Sequence, residues 1–197
     1  MSGARVGVIG LGNVLMGDDA FGPWVVQTLL AEYDFPEGVA VEDLGTPGLD
    51  LTPWVTDLEA LVLVDTVRCD AVPGTVRLYR RDELLKHAPQ ARLSPHDPGV
   101  KEALLTAEFA GRGSREVLLV GAVPETTAMG VRLSPALRAA VQVAAAEVLR
   151  ELERLGCPAT PRSAPSPPDI WWARPPDVGP AIRGGEPQPA TAEDVRS

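Results

Sequence analysis

Strand and helix signals alternate along the first 156 residues, and this alternation most constrains what the chain can form. The run LVLV at residues 61–64 has no polar position, as expected of a strand buried on both faces. Elsewhere apolar residues recur at helical spacing, as at Trp24, Val25 and Leu29. The pattern predicts a three-layer α/β fold, in which a twisted, mostly parallel β-sheet of about five strands has helices on both faces.

The predicted elements also indicate where a ligand would bind. Strands are predicted over residues 5–10, 39–44, 61–64, 75–79 and 116–123. Helices are predicted over residues 21–33, 50–55, 100–109 and 135–155. Open sheets of this kind bind ligands beyond the carboxyl ends of their strands, so polar residues that follow strands are the candidate site residues.

The composition excludes several classes of function. The chain has 18 Lys and Arg against 27 Asp and Glu, a net charge of −9, which argues against nucleic acid as a partner. It has no C-x-x-C pair, which excludes zinc ribbons and thioredoxin-like chemistry, and Cys69 and Cys157 lie far apart. We therefore expect a cytoplasmic protein. No apolar run approaches the roughly 20 residues that span a bilayer, so we expect no membrane partner.

A proline-rich segment follows the alternating region. Ten of the 20 prolines lie between residues 157 and 197, where few aliphatic residues are available for a core. We predict an α/β domain over residues 1–156 and a disordered or extended tail over residues 157–197, whose removal would leave the fold intact. Trp171 and Trp172 are the exception, because adjacent tryptophans are costly to expose. They either dock on the domain or form a partner-binding motif.

The loop after the first strand resembles a dinucleotide-binding loop only in part. Gly10 and Gly12 fit the pattern G-x-G-x-x-G, but Leu15 replaces its third glycine. The adjacent Asp18 and Asp19 would also repel a phosphate at the following helix. Helix capping accounts for at least one of these aspartates, and the second is a candidate for contact with a ligand.

Two further carboxylates and one histidine complete a candidate site. Asp43 and Asp65 are each predicted at the end of an apolar strand, and Pro95 and Pro98 on either side of His96 predict a rigid loop. One histidine with two or three carboxylates suits a divalent metal such as nickel, zinc or cobalt. Three protein ligands leave coordination positions open, so the metal would be catalytic or would belong to a substrate.

Several motifs, taken together and in order, resemble those of the hydrogenase maturation endopeptidases, which trim the C-terminus of the nickel–iron hydrogenase large subunit. They are GLGN (10–13), DDAFG (18–22), DLGTPG (43–48), LVD (63–65), SPH (94–96) and LVGAVPE (119–125). The resemblance covers roughly residues 5–156 and implies a monomeric peptidase with a large-subunit precursor as its partner.

The resemblance also implies roles for individual residues. The family's metal site falls on Asp19, Asp65 and His96, which would bind nickel carried by the substrate, so no permanent cofactor is expected. A resident metal that generates hydroxide would use the same three residues. Asp43 is a candidate for the peptide-bond chemistry.

The turn after Asp43 is the expected substrate contact. Gly45, Thr46 and Gly48 form this tight turn, for which ordinary turn chemistry is the alternative explanation. Two other functions stay open at this point. They are a metal-binding assembly factor that recognises the nickel-loaded precursor without cutting it, and a dinucleotide-dependent enzyme.

Overall fold

The computed structural model describes residues 5–47, 51–86 and 100–174 of the chain. Its strands are β1 (Val6–Leu11), β2 (Tyr33–Asp34), β3 (Val39–Gly45), β4 (Ala60–Thr66), β5 (Val76–Arg80), β6 (Glu116–Ala122) and β7 (Thr160–Pro161). Its α-helices are α1 (Phe21–Glu32), α2 (Thr52–Val55), α3 (Arg81–Lys86), α4 (Val100–Phe109) and α5 (Pro135–Arg154). Short 3-10 helices cover Gly17–Ala20 and Trp171–Ala173.

Five strands form one sheet in the order β3-β1-β4-β6-β5. The pairs β1–β3, β1–β4 and β4–β6 are parallel, and β5 runs antiparallel to β6 at one edge. The predicted mostly parallel sheet is therefore confirmed. Strand β3 forms the opposite edge.

The central strands β1, β4 and β6 are buried on both faces, as the unbroken apolar runs predicted. In β4, Val62 and Val64 belong to the cluster that packs with α1 and α5, whereas Leu61 and Leu63 belong to the cluster that packs with α2 and α4. Alternate side chains of a strand point to opposite faces, so one run of four apolar residues supplies both layers. Each such fully buried side chain contributes about 1.5–3 kcal/mol to folding.

Helix α1 packs unusually close to the sheet. A Cβ atom added at Gly10 would lie 2.7 Å from the carbonyl oxygen of Gly22, and one added at Gly22 would lie 2.3 Å from that of Leu11. Neither distance allows a side chain. Gly22, inside α1, thus permits the close approach of strand and helix. In a dinucleotide-binding fold the third glycine of the motif, which is Leu15 here, has this role.

The sequence missed the shortest elements. The six-residue helix α3 and the two-residue strands β2 and β7 were not predicted, because so few residues establish no hydrophobic period. The helix predicted over residues 50–55 is a single turn in the structure, Thr52–Val55. Among the described residues, no helix is long and apolar enough to cross a membrane.

The described part of the tail, residues 157–174, lies against the domain. Strand β7 pairs antiparallel with β2, and the Trp172 side chain is only 6% exposed. Its ring meets that of Trp24 edge to face, with centroids 6.2 Å apart. This burial is at odds with the expectation that removal of the whole tail leaves the fold intact. The domain boundary at residue 156 stays a prediction.

Candidate active site

The strand register gathers the predicted carboxylates at one end of the sheet. Gly10 of β1 lies opposite Asp43 on β3 and opposite Val64 on β4, and Asp65 follows Val64 directly. Neighbouring strands lie about 4.8 Å apart, so the backbones at Asp43 and Asp65 are about 10 Å apart with β1 between them. The loop after β1, which carries Asp19, passes over this edge.

Asp19 is half-buried and is held by two hydrogen bonds. Its Oδ2 accepts from the backbone N–H of Asn13 at 2.8 Å, and its Oδ1 accepts from the hydroxyl of Thr66 at 3.2 Å. The loop reaches this position through Gly12, whose φ is +141° and where a Cβ would lie 1.7 Å from the carbonyl oxygen of Asp19. Only glycine fits there.

Thr66 connects Asp19 with Asp65. The Asp65 side chain is 1% exposed, and its Oδ1 accepts from the backbone N–H of Thr66 at 2.8 Å. The hydroxyl of the same threonine donates to Asp19. The structure therefore brings together the two carboxylates predicted as metal ligands, and the hydrogen bonds from Thr66 orient them. Sequence reasoning missed Thr66, although its position directly after Asp65 at a strand end was a usable signal.

Asp18, by contrast, holds the fold together. It is fully buried, and its Oδ2 accepts from the backbone N–H groups of Glu125 and Thr126 at 2.8 and 3.1 Å. Its Oδ1 accepts from the N–H of Ser134 at 2.6 Å. Neither Asp18 nor Asp19 caps a helix, because the residues before the Gly17–Ala20 turn and before α1 make no side-chain capping bond. The capping explanation was wrong.

Asp43 lies at the carboxyl end of the edge strand β3. Its Oδ1 accepts from the backbone N–H of Gly45 at 3.0 Å, and the side chain of Gln27 also hydrogen-bonds to it. Burial raises the pKa of Asp43 above its ordinary value, and the bonds from Gly45 and Gln27 offset this increase only in part. A carboxylate with a raised pKa is better suited to accept a proton near neutral pH.

A groove of about 520 Å³ runs beside Asp43. Gly45 and Thr46, predicted as substrate contacts, line it together with Gly12 and Asn13. The backbone N–H of Asn13 donates to Asp19, so the groove reaches the residue that holds this carboxylate. The remaining lining residues are Val14, Gln27, Leu30, Val41, Glu42, Asp43, Leu44 and Trp171.

Comparison with known proteins identifies the family. The family model described as hydrogenase maturation protease matches residues 23–151. The chain belongs to the hydrogenase maturation protease family. It is 36% identical over 162 residues to the hydrogenase expression/formation protein HupM of Azotobacter chroococcum, covering 82% of this chain and 78% of that protein.

Solved structures of maturation proteases share the fold. The hydrogenase maturating endopeptidase HybD from Escherichia coli superposes with a TM-score of 0.75 at 32% identity, covering 81% of this chain and 98% of HybD. The hydrogenase 2 maturation peptidase from a Thaumarchaeota archaeon gives a TM-score of 0.57 at 34% identity, covering 77% of this chain and 98% of that one. Nearly all of HybD is matched, whereas about a fifth of this maturation protease lies outside the match.

Two predicted site residues of this maturation protease, His96 and Gly48, lie outside the described residues, as does His87. Within residues 5–47, 51–86 and 100–174, no three His, Cys, Asp or Glu side chains are grouped closely enough to hold a metal ion. The metal-binding roles of Asp19, Asp65 and His96 and the substrate contacts at the turn thus stay predictions.

Proposed function

We propose that this maturation protease removes the C-terminal extension of a nickel–iron hydrogenase large-subunit precursor after nickel has been inserted. Its family consists of hydrogenase maturation endopeptidases, which supports the reaction class. The observation that carries the proposal is the coupling of Asp19 and Asp65 through Thr66, beside the groove that contains Asp43. Two oriented carboxylates suit a divalent cation, and a groove suits a peptide.

Nickel acts in this proposal as part of the substrate. Carboxylate oxygens of Asp19 and Asp65 and the imidazole of His96 would bind nickel already held in the precursor, and the scissile bond would thereby be positioned in the groove. Fixing two reacting groups in this way lowers the barrier by removing the entropy of their encounter. A precursor without nickel would lack this anchor.

Hydrolysis then requires a base for the attacking water. In the proposed step, the Asp43 carboxylate accepts a proton as the water oxygen bonds to the scissile carbonyl carbon. The proton is later delivered to the leaving nitrogen as the peptide bond breaks. The raised pKa of Asp43 and its location in the groove support this assignment.

The test is to incubate the enzyme with the purified large-subunit precursor, with and without nickel, and to measure product masses. We expect loss of a C-terminal peptide only from the nickel-loaded precursor. His96→Ala should abolish the cleavage, and the matched control His87→Ala should retain it. Tight binding with unchanged precursor mass would refute the protease function and favour the non-cleaving assembly factor. Cleavage of nickel-free precursor would refute the role of nickel.

A second measurement separates substrate nickel from a resident metal. The enzyme alone is treated with a chelator, freed of the chelator by gel filtration, and then mixed with nickel-loaded precursor. Full activity is expected if the only metal needed is carried by the substrate. Activity that returns only after a divalent metal is added would instead assign the site to a resident Lewis acid.

We further propose that the enzyme acts as a monomer in the cytoplasm. Cys69 and Cys157 are both free thiols, which fits a reducing compartment. Size-exclusion chromatography with light scattering and fractionation of the producing cells test the two statements. A stable dimer, or recovery from an oxidising compartment, would overturn them.

A further inference from the structure

Trp171 is exposed and yet held firmly in place. Its side chain is 59% exposed, whereas the neighbouring Trp172 is 6% exposed. The two rings meet edge to face with centroids 5.7 Å apart, and Trp172 in turn packs on Trp24. Arg138 lies over the ring of Trp24, 5.3 Å from its centroid. The buried Trp172 and the half-buried Trp24 thus position a third aromatic ring, Trp171, that itself remains open to solvent.

The tail reaches this position by running back along α1. The backbone N–H of Arg162 donates to the carbonyl of Glu32, at the end of α1, and that of Ser166 donates to the carbonyl of Ala31. Trp172 then meets Trp24, in the first turn of the helix. Because α1 starts at the carboxyl edge of the sheet, this path carries Trp171 to the same edge as the carboxylates.

The groove that Trp171 lines offers both polar and apolar contacts. Asn13 and Asp43 are among its polar lining residues. Leu30, Val41 and Trp171 supply apolar surface. A side chain that reaches this apolar surface would be shielded from water, and tryptophan is one of the residue types enriched among those that dominate binding energy.

The groove is also bounded by an edge strand. Among the strands that the structure describes, β3 pairs only with β1, so within this part of the chain no strand occupies the backbone donors and acceptors of its outer edge. Residues 41–45 of β3 line the groove. An extended peptide can add to such an edge through main-chain hydrogen bonds, while pockets beside the edge select alternate side chains.

We propose that Trp171 is a substrate-binding residue of this protease. The C-terminal extension of the precursor lies extended along the outer edge of β3, and one of its apolar side chains packs on the exposed ring of Trp171. This inference rests on the proposed function for the identity of the peptide. In this inference the substrate contacts a residue of the tail in addition to the turn after Asp43.

Steady-state cleavage of nickel-loaded precursor tests the contact. We expect Trp171→Ala to lower kcat/KM about tenfold, mainly through KM, because truncation of an anchoring aromatic typically costs about this much. Trp171→Phe should recover most of the loss. The melting temperature of Trp171→Ala should stay near that of the wild type, since the removed ring is largely exposed, whereas Trp172→Ala should lower it. Unchanged kcat/KM in Trp171→Ala would overturn the inference.

A cross-linking measurement distinguishes this inference from the proposed function. A photoreactive phenylalanine analogue is placed at position 171, and in a matched variant at Phe109, which is 89% exposed at the end of α4. Illumination with purified nickel-loaded precursor should attach its C-terminal extension at position 171 and not at position 109. Attachment without cleavage by the wild type would refute only the protease function. Equal or absent attachment at the two positions would refute the role of Trp171.

Discussion

Substitution of the two adjacent aspartates of the first loop should affect different properties. Changes at Asp18 should lower the stability of the fold, whereas changes at Asp19 should abolish cleavage. Asp18 is fully buried and accepts three backbone hydrogen bonds, from Glu125, Thr126 and Ser134. These donors lie in the loop after β6 and at the start of α5. Asp18→Ala would therefore separate the first loop from two distant segments that it joins.

The expected loss of stability in Asp18→Ala follows from the three N–H donors that lose their acceptor. A hydrogen bond to a charged group contributes about 1.5–3 kcal/mol, and Asp18 accepts three part-buried ones. Allowing for partial relaxation and entry of water, we expect a loss of about 3–5 kcal/mol, a large part of the 5–15 kcal/mol typical of a domain. For a chain of this size, each kcal/mol lowers the melting temperature by about 2–4 °C, so the expected decrease is about 10 °C.

Thermal unfolding followed by circular dichroism measures this loss, with cleavage activity as the second readout. Asp18→Asn should lose less stability, because one oxygen remains to accept while the new amide opposes a donor. Asp19→Asn is the matched control: it should keep a melting temperature close to the wild type and lose cleavage. The reasoning fails if Asp18→Ala melts within about 2 °C of the wild type, or if the two aspartates exchange these effects.

Three further predictions concern pH and the tail. Because the pKa of Asp43 is raised, kcat should decrease on acidification at a higher pH than for an ordinary aspartate. Gln27→Leu should shift this decrease in kcat to a still higher pH, because the hydrogen bond from Gln27 lowers the pKa of Asp43. Burial opposes ionisation of Glu151, but bonds from Arg154 and Arg80 lower its pKa to about 2. A folded-state pKa below the unfolded value of about 4.3 stabilises the fold at pH values above 4.3, and this stabilisation is lost on acidification. The free energy of unfolding, measured by urea titration, should therefore decrease by up to about 3 kcal/mol between about pH 5 and 2. The decrease should be smaller in Glu151→Gln. Truncation after Gly156 removes β7 and a buried tryptophan, so it should lower the melting temperature measurably, and an unchanged value would show that the docked tail adds no stability.

The sheet could be predicted because its information is local. An unbroken apolar run of strand length already indicates burial on both faces, and the run at residues 61–64 supplies both hydrophobic clusters. The carboxyl-end rule then located Asp43 and Asp65 correctly at one edge, because it depends only on where each strand ends. The glycine pattern of the first loop was less informative. The glycine of α1 that permits close packing is Gly22, and the dinucleotide pattern G-x-G-x-x-G, read from Gly10, does not reach it.

What the sequence could not provide are the partners that the side chains acquire through folding. Asp18 and Asp19 are chemically identical neighbours, and nothing local indicates that the partners of one lie more than 100 residues away while the other bonds to Thr66. The same holds for Trp171, which adjoins the Asp43 groove only because Trp172 is anchored on α1. Residue type and strand position thus predict which groups gather at an edge. Which of these groups stabilise the fold and which bind the substrate depends on contacts between residues that are distant in sequence.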